Sequence, residues 1–167
     1  MANTYTLIAS STVGSGGAAS IDFSSIPSTY TDLLLKVSAR ASNASPWHGL
    51  AIKLNNSSSS FSAKGLEGSG SAASSFNETT YIGNANGSTS TANTFSNNEL
   101  YFPNYASSNN KLFSVNSVQE DNQTTAYATL MASLWSNSAA INQITLTPYA
   151  GTLLQYTTAY LYGISNS

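Results

Sequence analysis

The stretch Asp32–Arg40, read Asp-Leu-Leu-Leu-Lys-Val-Ser-Ala-Arg, sets the firmest limit on what this chain can fold into. Leu33, Leu35, Val37 and Ala39 recur at period two, with Lys36, Ser38 and Arg40 between them. Successive side chains of a strand point to opposite faces, so this pattern buries one face and wets the other. Three leucines in a row suit a helix as well, but the β-rich remainder of the chain decides for strand. The stretch is expected to be the central strand of an antiparallel sheet.

The same alternation recurs along the chain. Tyr5–Ser10 reads as a first short strand, and residues 12–20, with Gly14, Gly16 and Gly17, as a flexible turn into Ile21–Phe23. Residues 1–20 together suggest an N-terminal arm. Pro27 keeps residues 24–31 out of both helix and central strand. Leu50, Ile52 and Leu54 mark a second core strand. Residues 55–98 are rich in Ser, Gly and Asn with isolated apolar anchors, so they read as long surface loops holding one or two short strands near Phe76 to Ile82. Further strands are expected at Glu99–Phe102, Lys111–Val118, Thr124–Trp135, Ile141–Pro148 and Tyr156–Ile164. A polar turn at 119–123 and a turn at Ala150-Gly151 punctuate them. Many short strands at regular spacing, with no convincing helix, define an all-β fold. The expectation is a single domain over 1–167, an antiparallel β-sandwich of jelly-roll-like form.

Two of these strands carry apolar residues on both faces. In 124–135, Ala126, Ala128, Leu130, Ala132 and Leu134 form one face while Tyr127, Met131 and Trp135 make the other partly apolar. In the last strand Tyr156, Tyr160, Tyr162 and Ile164 oppose Ala159 and Leu161. A sandwich strand needs only one apolar face, so a second covering surface is implied, either loops folding back or another copy of the chain. Tyr, Trp and Met are enriched at interfaces, which makes Tyr127, Met131, Trp135, Tyr156, Tyr160 and Tyr162 the expected oligomer contacts.

Composition narrows the function classes. Only 7% of the 167 residues are charged, against roughly 25% in an ordinary domain, whereas Ser, Thr and Asn make up 67. Five basic residues and a net charge of -2 build no basic patch, so neither nucleic acid nor an anionic membrane is an expected partner. No cysteine is present, which excludes disulfides and thiolate metal sites. The start of the chain lacks a basic region followed by an apolar run, and no window approaches a membrane span; neither signal peptide nor transmembrane helix is expected.

Chemistry-bearing groups are sparse. His48, the single histidine, has no nucleophile or ligand partners in its Pro46-Trp47-His48-Gly49 setting and reads as a structural loop residue. Glu120 and Asp121 are adjacent and therefore point apart in an extended chain, which suits a turn better than a pair of catalytic acids. A calcium site on these two and loop carbonyls is the weaker alternative. Trp47 and Tyr81 could stack on a sugar ring, although aromatics in a β-protein more often lie in the core or at an interface. Neither cofactor nor catalytic residue is assigned, and no enzyme is expected.

Residues 12–21 (Thr-Val-Gly-Ser-Gly-Gly-Ala-Ala-Ser-Ile), 25–36 (Ser-Ile-Pro-Ser-Thr-Tyr-Thr-Asp-Leu-Leu-Leu-Lys) and 158–164 (Thr-Ala-Tyr-Leu-Tyr-Gly-Ile) resemble a group of small β-rich virion proteins of tailed phages, of the cyanophage and marine-phage type. Residues 91–96 and 134–137 fit the same pattern. The resemblance implies a structural component of the particle and transfers no catalytic site. It leads to the expectation of a capsid decoration or cement protein, a homotrimer by analogy, made in the bacterial host cytoplasm and bound in the virion to the major capsid protein or other virion proteins. The alternative is a tail-associated or fibre module that binds host-surface glycan through Trp47 and Tyr81.

Overall fold

The computed structural model describes residues 4–122 and 126–165, which form twelve strands and no helix. In chain order they are β1 (Tyr5–Thr12), β2 (Ile21–Phe23), β3 (Asp32–Ala39), β4 (Trp47–Leu54), β5 (Phe61–Gly68), β6 (Ala73–Glu78), β7 (Tyr81–Asn86), β8 (Ser96–Phe102), β9 (Lys111–Gln119), β10 (Tyr127–Trp135), β11 (Ile144–Pro148) and β12 (Thr158–Ile164). Eight of them make one sheet in the order β1, β12, β3, β8, β9, β10, β5, β6, and four make a second in the order β2, β11, β4, β7. All neighbouring strands are antiparallel. The all-β antiparallel sandwich is as expected from the sequence. Jelly-roll connectivity is a finer matter that the eight-plus-four division does not establish.

β3 lies inside the large sheet, paired to β12 and β8, as its alternation requires. Leu33, Leu35, Val37 and Ala39 turn inward and are almost wholly buried. From the small sheet Leu50, Ile52, Leu54, Ile144 and Leu146 meet them in one continuous core. Each such aliphatic side chain contributes about 1.5–3 kcal/mol by leaving water. Phe102 and Phe113 stack with ring centroids 4.8 Å apart across the β8–β9 pair.

Two sequence-based expectations are corrected. Residues 1–20 are not a free arm over their described part: β1 pairs along its length with β12, Val13 N–H donates to the Thr157 carbonyl, and Ala18 bridges Leu153. Residues 55–98 hold the short strands expected near Phe76 to Ile82, as β6 and β7, but they also supply β5 and the start of β8 and so are not chiefly loops. In β5 the inward positions after Phe61 are the small Ala63 and Gly65, which hid the period. At Gly65 the Phe76 ring from β6 takes the space a side chain would occupy, and a Cβ there would lie 2.2 Å from Phe76 Cζ.

Connecting segments cover what the small sheet leaves open. Tyr30 lies over Gly163 of β12, where a Cβ would stand 2.3 Å from the ring. The Tyr105 hydroxyl donates to the Pro27 carbonyl and ties the 103–110 connection to the 24–31 segment. β7, an edge of the small sheet, is sealed by side chains of the large one: its Asn84 N–H donates to Ser117 Oγ at 3.1 Å, and Asn98 Nδ2 donates to the Asn84 carbonyl at 3.2 Å. Those bonds satisfy backbone groups that would otherwise be orphaned in the interior.

Arg40, expected on the wet face, is instead 9% exposed. Its Nη1 donates to the carbonyls of Thr91 (2.8 Å) and Thr94 (3.0 Å), and its Nη2 to those of Ser90 (2.8 Å) and Ser88 (3.3 Å). The planar fork of donors thus moulds the 87–95 connection around one guanidinium. Arg40→Met should lower the unfolding free energy by about 3 kcal/mol, since a buried acceptor left bare costs roughly 1–3 kcal/mol and, of the four carbonyls, only the bond to Ser90 lies in a buried setting while the others are partly open to water. Arg40→Lys, a point charge without the fork, should recover only part of that loss in urea unfolding followed by circular dichroism.

Candidate assembly surface

The strand register brings the most distinctive surface together on the outer face of the large sheet. Tyr101 of β8 lies opposite Ser114 of β9, Ser114 opposite Ala132 of β10, Ala132 opposite Lys64 of β5, and Lys64 opposite Asn77 of β6. The next row toward the other strand ends runs Glu99, Asn116, Leu130, Leu66, Ser75. On the opposite side Leu112 faces Leu134. Leu66, Leu112 and Leu130 are each about 60% exposed, at 63%, 59% and 59%. A groove of about 660 Å³ opens between them, walled by Tyr101, Pro103, Leu112, Leu130 and Lys64. Exposed leucines scattered singly are ordinary, but these share one face with Val118, Ala128 and Ala132.

Few charges interrupt the face. Lys36 Nζ lies 2.9 Å from Glu99 Oε2 with both side chains about half exposed, and that hydrogen bond raises the lysine's pKa. So open a pair adds little stability. Lys64 Nζ donates to Asn77 Oδ1 at 2.5 Å. At the β8 margin the Tyr101 hydroxyl donates to Asp32 Oδ2 at 2.7 Å, and this bond, with burial, lifts the phenol's pKa to about 12. Asn104 N–H donates to the other oxygen of Asp32 at 2.8 Å. The carboxylate is thereby engaged on both oxygens and holds the tyrosine at the rim.

The expected oligomer contacts divide. Met131 and Trp135 are 2% and 1% exposed and belong to the interior, where Trp135 stacks on Phe61 at 6.1 Å. This corrects the parity of β10: its outer residues are Ala128, Leu130, Ala132 and Leu134. Size decides, because the Trp135 ring gains more from the core than the leucines and alanines of the other face do. Tyr127 is half-buried and meets Trp47 edge to face at 5.4 Å. Tyr160 and Tyr162 lie on the outer face near β1, away from the leucine rows, and Tyr156, at φ 69°, stands out at the end of the preceding turn. Leu66 and Leu112 were missed. Leu112 sits between Lys111 and Phe113, and only the inward turn of Lys111, whose Nζ donates to the Ser107 carbonyl at 2.7 Å, reveals that leucine as the outward residue.

The sugar-stacking pair is not brought together as a platform. Trp47 is 38% exposed, but Tyr81 is buried against Phe76 and Tyr149, and that burial raises its pKa. Tyr81 therefore offers no free ring face. Glu120 acts as turn chemistry: its Oε1 accepts from the N–H groups of Asp121 (2.9 Å) and Asn122 (2.6 Å). Among the described residues no three His, Cys, Asp or Glu side chains cluster in a way that could hold a metal ion. Comparison with protein-family models, curated proteins and solved structures gives no match.

His48 joins the strand β4 to the 149–151 turn. Its Nε2 accepts from Ala150 N–H at 2.8 Å, a bond that exists only while that nitrogen is unprotonated, and its ring meets Tyr149 edge to face. Burial lowers its pKa from the ordinary 6.5. The unfolded chain therefore takes up the proton first as the pH falls. This stabilisation is complete above pH 6.5 and is lost as the pH drops through the lower folded value. Thermal unfolding midpoints measured across that interval should fall for the native chain, and His48→Gln should flatten the dependence.

Proposed function

We propose that this chain is a non-enzymatic structural protein of a tailed-phage virion that decorates or cements the capsid as a homo-oligomer. The observation that carries this reading is the outer face of the large sheet: broad, nearly uncharged, and studded with leucines that a lone particle would leave in water. A face of that kind favours protein contact over small-molecule chemistry. Support also comes from the segments that resemble small virion proteins, of which 25–36 and 158–164 enter the adjacent strands β3 and β12. The partners are further copies of the chain and the major capsid protein or another virion protein, and the location is the virion.

A tail-associated module that binds host-surface glycan is the second reading. The exposed Trp47, braced edge to face by Tyr127, favours it, although Tyr81 no longer contributes. Labelled antibody on purified virions of the encoding phage, with copy number per particle, separates the two. Label spread over the head at many copies is the expected result. Label confined to the tail at a few copies would overturn decoration and direct attention to Trp47.

A further inference from the structure

We infer that the chain carries a saccharide-binding site where β1, β12, β3 and β8 lie side by side in the large sheet, and that its ligand is an uncharged sugar ring. The site is a recess of about 530 Å³ lined by Tyr5, Leu34, Lys36, Glu99, Tyr101 and Tyr162. The inference is independent of whether the chain sits on head or tail. It shares with the tail reading only the class of ligand, since Trp47 belongs to the small sheet.

The register builds the recess. Tyr162 of β12 and Tyr101 of β8 are both cross-strand partners of Leu34, one on each side. Neighbouring strands lie about 4.8 Å apart, so the two tyrosines leave the sheet about 10 Å from each other with the leucine between them. Leu34 alternates with the inward Leu33 and Leu35 and so points away from the core, yet it is only 9% exposed. It forms an apolar floor between aromatic walls. Tyr5, on the edge strand β1, is 57% exposed and stands at the rim. Lys36 and Glu99 are cross-strand partners in the next row and meet at 2.9 Å. The hydrogen bond to Glu99 chiefly raises the pKa of Lys36, and weaker effects of Tyr162 and Tyr5 put both phenols within electrostatic reach of the ammonium.

This mixture of groups selects the ligand. An ammonium has three donors and a carboxylate about four acceptor sites, so one mutual bond leaves both able to bind hydroxyls. Paired, they offer no net charge, and a charged ligand would have to compete with a bond already made. The rings and Leu34 call for an apolar ligand face within reach of those polar groups. A pyranose has that form, with C–H groups on its faces for stacking and hydroxyls around its edge for the ion pair. The volume lies within the roughly 300–1,000 Å³ of small-ligand sites. One wall is also set in advance: the Tyr101 hydroxyl donates to Asp32, a carboxylate 6% exposed whose other oxygen accepts from Asn104 N–H. A wall fixed before binding lowers the entropy lost when the ligand arrives.

The test presents the labelled full chain, coupled to beads for avidity, to an array of neutral and acidic oligosaccharides, followed by calorimetric titration with the tightest binder. A neutral oligosaccharide should be bound best. Tyr162→Ala and Glu99→Gln should each weaken it about tenfold, the size of one lost stacking contact or one hydrogen bond to a charged group. Trp47→Ala should leave it unchanged. Thermal midpoints identify a variant that fails to fold, and Glu99→Gln, at a half-exposed position, keeps the fold and carries the test if Tyr162→Ala does not. An array with no bound saccharide overturns the inference, as does binding indifferent to both variants or an acidic glycan preferred over every neutral one. Binding lost with Trp47→Ala alone overturns this site and assigns the sugar to the tryptophan of the tail reading. A blank array together with label over the head overturns the site and leaves decoration standing. A blank array with a sedimenting mass lowered by Tyr162→Ala overturns it and assigns these tyrosines to contact between copies.

Discussion

An eight-stranded sheet packed against a four-stranded one has twice as much inner face as its partner can cover, and most of the irregular structure of this chain answers that mismatch. Apolar inner residues of the uncovered strands must still leave water, so connecting segments take the place of missing strands. Tyr30 does this over Gly163, while within the large sheet the Phe76 ring of β6 fills the space over its cross-strand partner Gly65, where any larger residue would push the ring away. Segments used in this way carry backbone groups into the interior. Arg40 serves four carbonyls of the 87–95 connection, and the Tyr105 hydroxyl serves Pro27. The guanidinium suits this position because its donors are fixed in a fork and it accepts nothing.

The scarcity of charge belongs to the same account. A buried ion is expensive unless paired, whereas an amide or hydroxyl can close a backbone gap as a neutral donor or acceptor. Asn98 and Ser117 close the free edge of β7 in this manner, and Asn55 accepts from Asn142 and Gln143 while donating to the Ala140 carbonyl. Asparagine has a second use at the turns, since Asn55, Asn56, Asn93, Asn104 and Asn122 all adopt positive φ, a region it tolerates better than most residues. The abundance of Ser, Thr and Asn that suggested loops is thus partly a property of the interior and of tight connections between strands.

Strands with large inward residues were legible in the sequence, and strands with small ones were not. β3 declared itself through Leu33, Leu35 and Val37, and β9 through Phe113 and Val115. β5 offered Phe61, Ala63 and Gly65 inward against Leu66 outward, so its period reads as noise until Phe76 is known to fill the space over Gly65. The candidate surface was half legible. Two apolar faces on β10 pointed to a second covering layer, but alternation alone does not say which face is inside, and the heavier set of Met131 and Trp135 went to the core. Leu66 needed the register of β5 on β10, a long-range pairing that no local pattern contains.

How the sheet treats its edges bears on the way it can associate. A strand edge with unpaired N–H and C=O groups is a template for another chain, and open-ended pairing there leads to fibres rather than closed particles. Here the edge strand β1 breaks register between Leu7 and Ala9, and the other edge, β6, is six residues long and ends at Glu78. An irregular strand and a short one closing on a charge are both poor templates. Leu66, Leu112 and Leu130 stand instead on the outer face between these edges, clear of the backbone ladder. Contact through that face uses side chains and stops when the face is covered, whereas contact through an edge could continue strand after strand. Blunted edges therefore disfavour association that propagates strand after strand, and leave side-chain contact on the outer face as the kind that ends when the face is covered.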